Sequence, residues 1–205
     1  MLKSYEYNRI KYLTFDLLNA YHSVNDSTTL EAVYAQIVNE IKNLSEAPEI
    51  EQFLNALSNR RLSTAQAEKL LESLKALVEP FLLPSATQIS KIFKKVKKLQ
   101  QPNTEALDLR NYSYFAWNEI ASGRKYIITQ DGQGFYGTIS GSRKNICSIC
   151  QQTSQVTQFL AVTKSKADGT YTKQGNYICL DSEKCNQQMQ TIEGLEKFIE
   201  TIRKK

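Results

Sequence analysis

Apolar residues recur at spacings of three and four through the first third of the chain, then give way to short apolar runs separated by glycine-bearing turns. Tyr7, Ile10, Leu13, Leu17 and Tyr21 form the first helical stripe. Asn25-Asp26-Ser27 breaks it, and Thr28 with Glu31 has the spacing of a capping box for a second helix carrying Leu30, Val33, Ile37, Ile41 and Leu44. Pro48 opens a short third helix, with Ile50, Phe53, Leu54 and Leu57 on one side. Ser63 and Gln66 make a second capping box ahead of Ala67, Leu70, Leu71, Leu74, Leu77 and Val78. Each stripe needs another to be buried against, so four such helices with short connections predict an antiparallel bundle.

Pro80 and Pro84 interrupt the helical pattern, and Ser85 is a good N-cap for a further helix. This places a domain boundary at about residue 81, giving a helical-bundle domain over 1–81 and a second domain over 82–205. The second begins with an expected basic amphipathic helix. Lys91, Lys94, Lys95 and Lys98 share one face of it, opposite Ile89, Ile92, Phe93, Val96 and Leu99. Tyr112, Tyr114, Phe115 and Trp117 then crowd together, read as the core of a small β-domain or as a base-stacking platform. Asp131-Gly132 with Gly134 forms a turn joining Tyr126–Thr129 to Phe135–Ile139 in a β-hairpin.

Composition narrows the class. With 205 residues, 41% apolar and 23% charged, the chain is a globular protein rather than a collagen, coiled coil or disordered polymer. No run of about 18 apolar residues occurs and the first residues lack a secretory h-region, which predicts a cytoplasmic protein. All eight glycines lie from Gly123 onward, consistent with helix first and strand later. The net charge of +5 is uneven: residues 1–80 carry 8 Lys and Arg against 11 Asp and Glu, and the excess of cations lies beyond them. A basic second half suits an acidic protein partner or nucleic acid.

All four cysteines fall in that half. Cys147-x2-Cys150 and, 28 residues later, Cys179-x5-Cys185 supply four thiolates, and the two-residue gap forms a knuckle that turns both sulfurs toward one ion. In a reducing compartment this predicts one structural Zn2+ rather than two disulfides, with redox switching as the lesser reading. Between the pairs, Phe159–Val162, a turn at Asp168-Gly169 and Tyr177–Cys179 read as a second hairpin. Knuckle, hairpin and helix in that order describe a treble-clef finger. Six steps along a continuous helix would part the last two cysteines by about 9 Å, so Cys179 should end a strand. Ser182 should then cap a helix with Cys185 as its third residue, at the positive end of the dipole. The fold class expected is therefore α+β, an N-terminal antiparallel helical bundle followed by a C-terminal α/β domain with a four-cysteine treble-clef-like zinc finger.

Nothing in the sequence assembles a catalytic site. His22 is the single histidine and sits at a helix end, and no phosphate-binding glycine loop is present. Four protein ligands leave no coordination position for an activated water. A non-enzyme is expected.

The chain closely resembles the elongation factor G-binding proteins, the FusB-type family of fusidic acid resistance. The likeness is carried by Tyr21–Asp26 (YHSVND), Pro80–Ser85 (PFLLPS), Lys91–Lys98 (KIFKKVKK), Trp117–Ile128 (WNEIASGRKYII), Cys147–Cys150 (CSIC) and Gly175–Asn186 (GNYICLDSEKCN). It implies a helical N-terminal domain and a zinc domain that binds elongation factor G, near the ribosome, as a non-catalytic monomer with no small-molecule, DNA or membrane target. In that family the protein promotes release of the factor stalled by fusidic acid. The family's contact surface surrounds the finger, with an aromatic before the first cysteine, a lysine and a tyrosine ahead of the third, and a phenylalanine in the last helix. Tyr177 and Phe198 match it, whereas Ile146 and Gln174 stand at the other two positions. The alternative from the residues alone is an RNA-binding zinc protein, with the lysine face on phosphates and Tyr112, Tyr114 or Trp117 stacking bases.

Overall fold

The computed structural model describes residues 1–165 and 171–203 and divides the chain into two units, Met1–Glu79 and Pro80–Lys205. In the first unit, α1 (Ser4–Ser23), α2 (Ser27–Leu44), α3 (Pro48–Leu57) and α4 (Thr64–Leu74) follow the four stripes. α1 packs on α2 and α4, and α3 packs on the same two helices. Ile10, Leu17, Ile41, Ile50, Leu57 and Leu74 form a fully buried core. Three tyrosines at its edge are half-buried because their hydroxyls reach helix carbonyls: Tyr7 donates to Leu71 O, Tyr21 to Leu57 O and Tyr34 to Leu54 O, at 2.9–3.1 Å.

The helix starts are partly as expected. Ser63 and Gln66 do form the reciprocal box. α2, however, is capped by Asp26, whose carboxylate accepts the Thr29 N–H at 2.7 Å, and not by Thr28 with Glu31. A carboxylate one residue ahead of the helix suits the exposed N–H groups of the first turn better than a threonine already inside it. The fourth stripe also runs past its helix: α4 stops at Leu74, a 3-10 turn spans Lys75–Leu77, and Val78 pairs with Leu2 through Leu2 N–H to Leu77 O and Glu79 N–H to Leu2 O, both 2.9 Å.

The second unit begins at Pro80, so Phe81 belongs to it and lies in its aromatic core. Five antiparallel strands form one sheet in sequence order: β1 (Tyr114–Glu119), β2 (Arg124–Thr129), β3 (Gly134–Ile146), β4 (Thr153–Ser165) and β5 (Tyr171–Cys179). The β2–β3 hairpin matches expectation, with Gly132 at φ +77° in its turn, the left-handed conformation glycine tolerates. The expected turn at Asp168-Gly169 lies outside the described residues. The aromatic cluster does more than fill a core, because most of it forms strand β1. This strand pairs with β2 from Tyr114↔Thr129 to Glu119↔Arg124, which carries Trp117 over Tyr126 with ring centroids 5.0 Å apart.

The basic helix is much shorter than its pattern. α5 spans only Ala86–Ile92, capped by Ser85 with Gln88, and Lys94, Lys95 and Lys98 follow in turns, Lys98 at φ +56°. Five lysines within eight residues place like charges at i,i+3 and i,i+4, which disfavours continuing the helix. Packing favours the same end point. Phe93 sets its edge against Tyr126 and Trp117, and Trp117 Nε1 donates to the Gln100 carbonyl at 2.9 Å, so the chain must turn back over the sheet. Tyr112, Tyr114, Phe115 and Trp117 are all buried, so these rings form core and not a stacking platform. Finally, α6 (Ser182–Gln188) follows β5, and α7 (Glu193–Ile202) packs on β4 and β5, with Phe198 edge-on to Phe159 at 5.5 Å.

Candidate metal centre

The loop between β3 and β4, the end of β5 and the start of α6 bring Cys147, Cys150, Cys179 and Cys185 together, all buried, with their sulfurs within 4.8 Å of one another. Cys147 Sγ to Cys185 Sγ and Cys150 Sγ to Cys179 Sγ are each 3.7 Å, and no disulfide joins them. A tetrahedral ion with metal–sulfur bonds of about 2.3 Å requires sulfurs about 3.8 Å apart, so the residues present fit one tetrahedral ion of the kind thiolates select.

Local structure builds this cage. Backbone bonds from Cys147 N–H to Gln152 O (3.0 Å) and Gln151 N–H to Cys147 O (2.9 Å) close the knuckle, and Gln151 adopts φ +59° within it. Ser148 N–H donates to Tyr177 O at 2.8 Å, tying the knuckle to β5. A side chain on Gly194 would meet the Ile149 carbonyl at 2.2 Å, so glycine there lets α7 close against the knuckle.

Cys179 ends its strand as expected. The cap of α6 differs: Asp181, not Ser182, accepts the Glu183 and Lys184 N–H groups, and Cys185 is the fourth helical residue. Charge is also distributed otherwise than the helix dipole suggested. Cys147 accepts the Ile149 and Cys179 N–H groups at 3.3 and 3.2 Å. Hydrogen bonds from Cys150, then Cys179 and Cys185, hold its thiol far below the ordinary value, whereas the Cys150 and Cys185 thiols are raised, each chiefly through Cys147. The Cys179 thiol is lowered as well: Cys147 raises it, but Cys150 and Cys185 together outweigh that. A divalent ion makes four thiolates compatible, because coordination replaces the protons.

Two residues around the cage carry no signal in the sequence pattern. Lys125 is fully buried, with Nζ 2.9 Å from both Asn118 Oδ1 and Leu180 O. Burial pushes its ammonium down to about 8, against the upward pull of Cys185 and Cys179. Tyr114 is buried too, and desolvation followed by the Cys185 sulfur pushes its phenol well up. A short apolar strand that reads as core gives no sign that one inward residue is a lysine set beside sulfur.

The expected partner contacts do not share one face. Tyr177 is half-buried, with the Arg143 guanidinium 4.0 Å from its ring centroid. Ile146, 57% exposed, lines a shallow cleft with Asn176, Lys197 and the edge of Phe198. Alternation along β5 puts Gln174, which is exposed, on the Asn176 face, opposite Tyr177. Phe198 is only 3% exposed because α7 covers Phe159, and its edge is what reaches the Ile146 cleft. His22 is exposed at the end of α1, and among the described residues no helix is long and apolar enough to cross a membrane.

A two-unit chain with a helical bundle, an antiparallel sheet and a four-cysteine cage defines an α+β protein with a candidate structural-metal domain. The family described as elongation factor G-binding protein, N-terminal, matches residues 1–82. Among solved structures, that of the fusidic acid resistance protein FusC is similar at 37% identity over 99% of this chain and 98% of its own, with a TM-score of 0.93. Nothing matches among curated protein sequences. The chain belongs to the FusB-type family of elongation factor G-binding proteins.

Proposed function

We propose that this protein binds elongation factor G without catalysing a reaction, and that it promotes departure of the fusidic-acid-stalled factor from the ribosome. The observation that carries the reading is the end-to-end likeness to FusC, which extends through both units. A ligand shifts an equilibrium only by its differential affinity for the two states, so the protein must prefer the departing conformation of the factor to the locked one.

The ion is zinc, one per chain, with a structural role. Four thiolates close its coordination sphere, leaving it to hold the knuckle, β5 and α6 in place. The contact surface lies beside this cage, with Tyr177 on one side of β5 and Ile146 and Gln174 on the other. Tyr177 is the anchor, a large aromatic held in place by Arg143. The protein acts in the cytoplasm as a monomer.

Calorimetric titration of the zinc-loaded protein into purified elongation factor G tests the reading, with Tyr177→Ala in parallel. One-to-one binding that the variant loses supports it. Wild-type protein that leaves the factor unbound removes it.

A further inference from the structure

The face of the sheet that carries Tyr177 also carries an open cleft of about 620 Å³, built wholly from the second unit and within the size range of ligand sites. Its floor is apolar, with Ile92, Tyr136, Leu160 and Val162. Its rim is cationic: Lys94 and Lys95 follow α5, Arg124 opens β2 and Lys173 lies on β5. Among the described residues no Asp or Glu lines it, and Lys94, Lys95 and Lys173 form no ion pair, while Arg124 stands opposite Glu119 in the β1–β2 pairing. In the first unit, by contrast, Arg9 meets Glu40 at 2.6 Å and Lys3 meets Glu79 at 2.5 Å. Like charges gathered around an apolar floor repel one another, and an anion with an apolar body relieves that repulsion while covering the floor.

We propose that this cleft receives an acidic segment of the protein partner, an extended stretch in which carboxylates flank an apolar side chain. The proposal rests on the reading that the partner is elongation factor G, and it adds a second contact region with its own chemistry. Continuity supports it. Strand alternation sets Tyr171, Lys173, Gly175 and Tyr177 on one face of β5, so the cleft leads directly to the proposed anchor.

Phosphates would also suit the rim, but the floor does not suit bases. Tyr112, Tyr114, Phe115 and Trp117, the rings grouped in the sequence, are in the core, and the sheet floor of the cleft presents Leu160 and Val162 beside Tyr136. The two tyrosines at the cleft already carry cations, Lys173 5.4 Å from the Tyr171 ring and Arg124 5.9 Å from the Tyr136 ring.

The test uses the full-length zinc-loaded protein and its Lys95→Glu/Lys173→Glu variant, both changes being at exposed positions on opposite walls. Binding to elongation factor G is measured by calorimetry at low and high salt, with circular dichroism and zinc content as fold controls. The variant should bind about tenfold or more weakly at low salt and lose most of the salt dependence of the wild type. Unchanged affinity in this variant, where Tyr177→Ala abolishes binding, overturns the cleft and leaves the partner reading intact. Failure of the wild type to bind removes the partner reading and the cleft with it. A fluorescent single-stranded RNA that the wild type binds and the variant does not, with factor binding unchanged, assigns the cleft to RNA and overturns the proposal.

Discussion

Lys125 Nζ lies 2.9 Å from the carbonyl oxygen of Leu180, the residue that follows Cys179. Four thiolates around a divalent ion carry two net negative charges in a buried place, and Lys125 is the buried cation beside them. Lys125→Met keeps the volume but removes the charge and leaves Asn118 Oδ1 without its donor. It should lower stability by about 1–3 kcal/mol and speed zinc transfer to a chelator. Thermal melts and chelator kinetics measure the two effects, and an unchanged transfer rate would refute the charge-balancing role.

Removing the metal should act mainly on the second unit. Structural zinc contributes about 10–16 kcal/mol of apparent binding energy in isolated fingers, more than the sheet edge around the knuckle can replace. Cys150→Ser, or chelation, is expected to lower zinc content below one per chain and to melt the β signal before the helical one. Hydrogen exchange resolved along the sequence would show this, and equal loss of protection in α1–α4 and β3–β5 would contradict it.

Phe198 and Tyr177 should separate stability from binding. Phe198→Ala opens a cavity against Phe159 and should cost about 3–5 kcal/mol. Tyr177→Ala should leave the melting temperature within a few degrees while abolishing detectable binding to elongation factor G. The reverse pattern, a stable Phe198→Ala protein that no longer binds, would make Phe198 an interface anchor.

Gly134 is required by a close approach. A Cβ there would stand 2.1 Å from Ile92 Cγ2 and 2.9 Å from the Phe93 ring. Gly134→Ala should therefore displace α5 from the sheet at a cost of about 1–3 kcal/mol. Denaturant melts would show it, together with a change in Trp117 fluorescence, since Phe93 packs on that ring.

The features legible along the chain are those written locally. The four stripes, Pro48, the Ser63–Gln66 box and the cysteine spacings each depend on residues a few positions apart, and the structure follows them in α1 to α4 and in the four-cysteine cage. Other features depend on partners far along the chain. α5 stops at Ile92 because Phe93 meets β1, β2 and β3, and Phe198 is core because α7 lies on Phe159. Lys125 stands near the cage because its ammonium reaches the carbonyl of Leu180, the residue after β5, and the cationic cleft exists because turns after α5 face β5 across the sheet. Periodicity reports which side of an element is apolar. Only tertiary packing decides what that side touches and which charges are left facing one another.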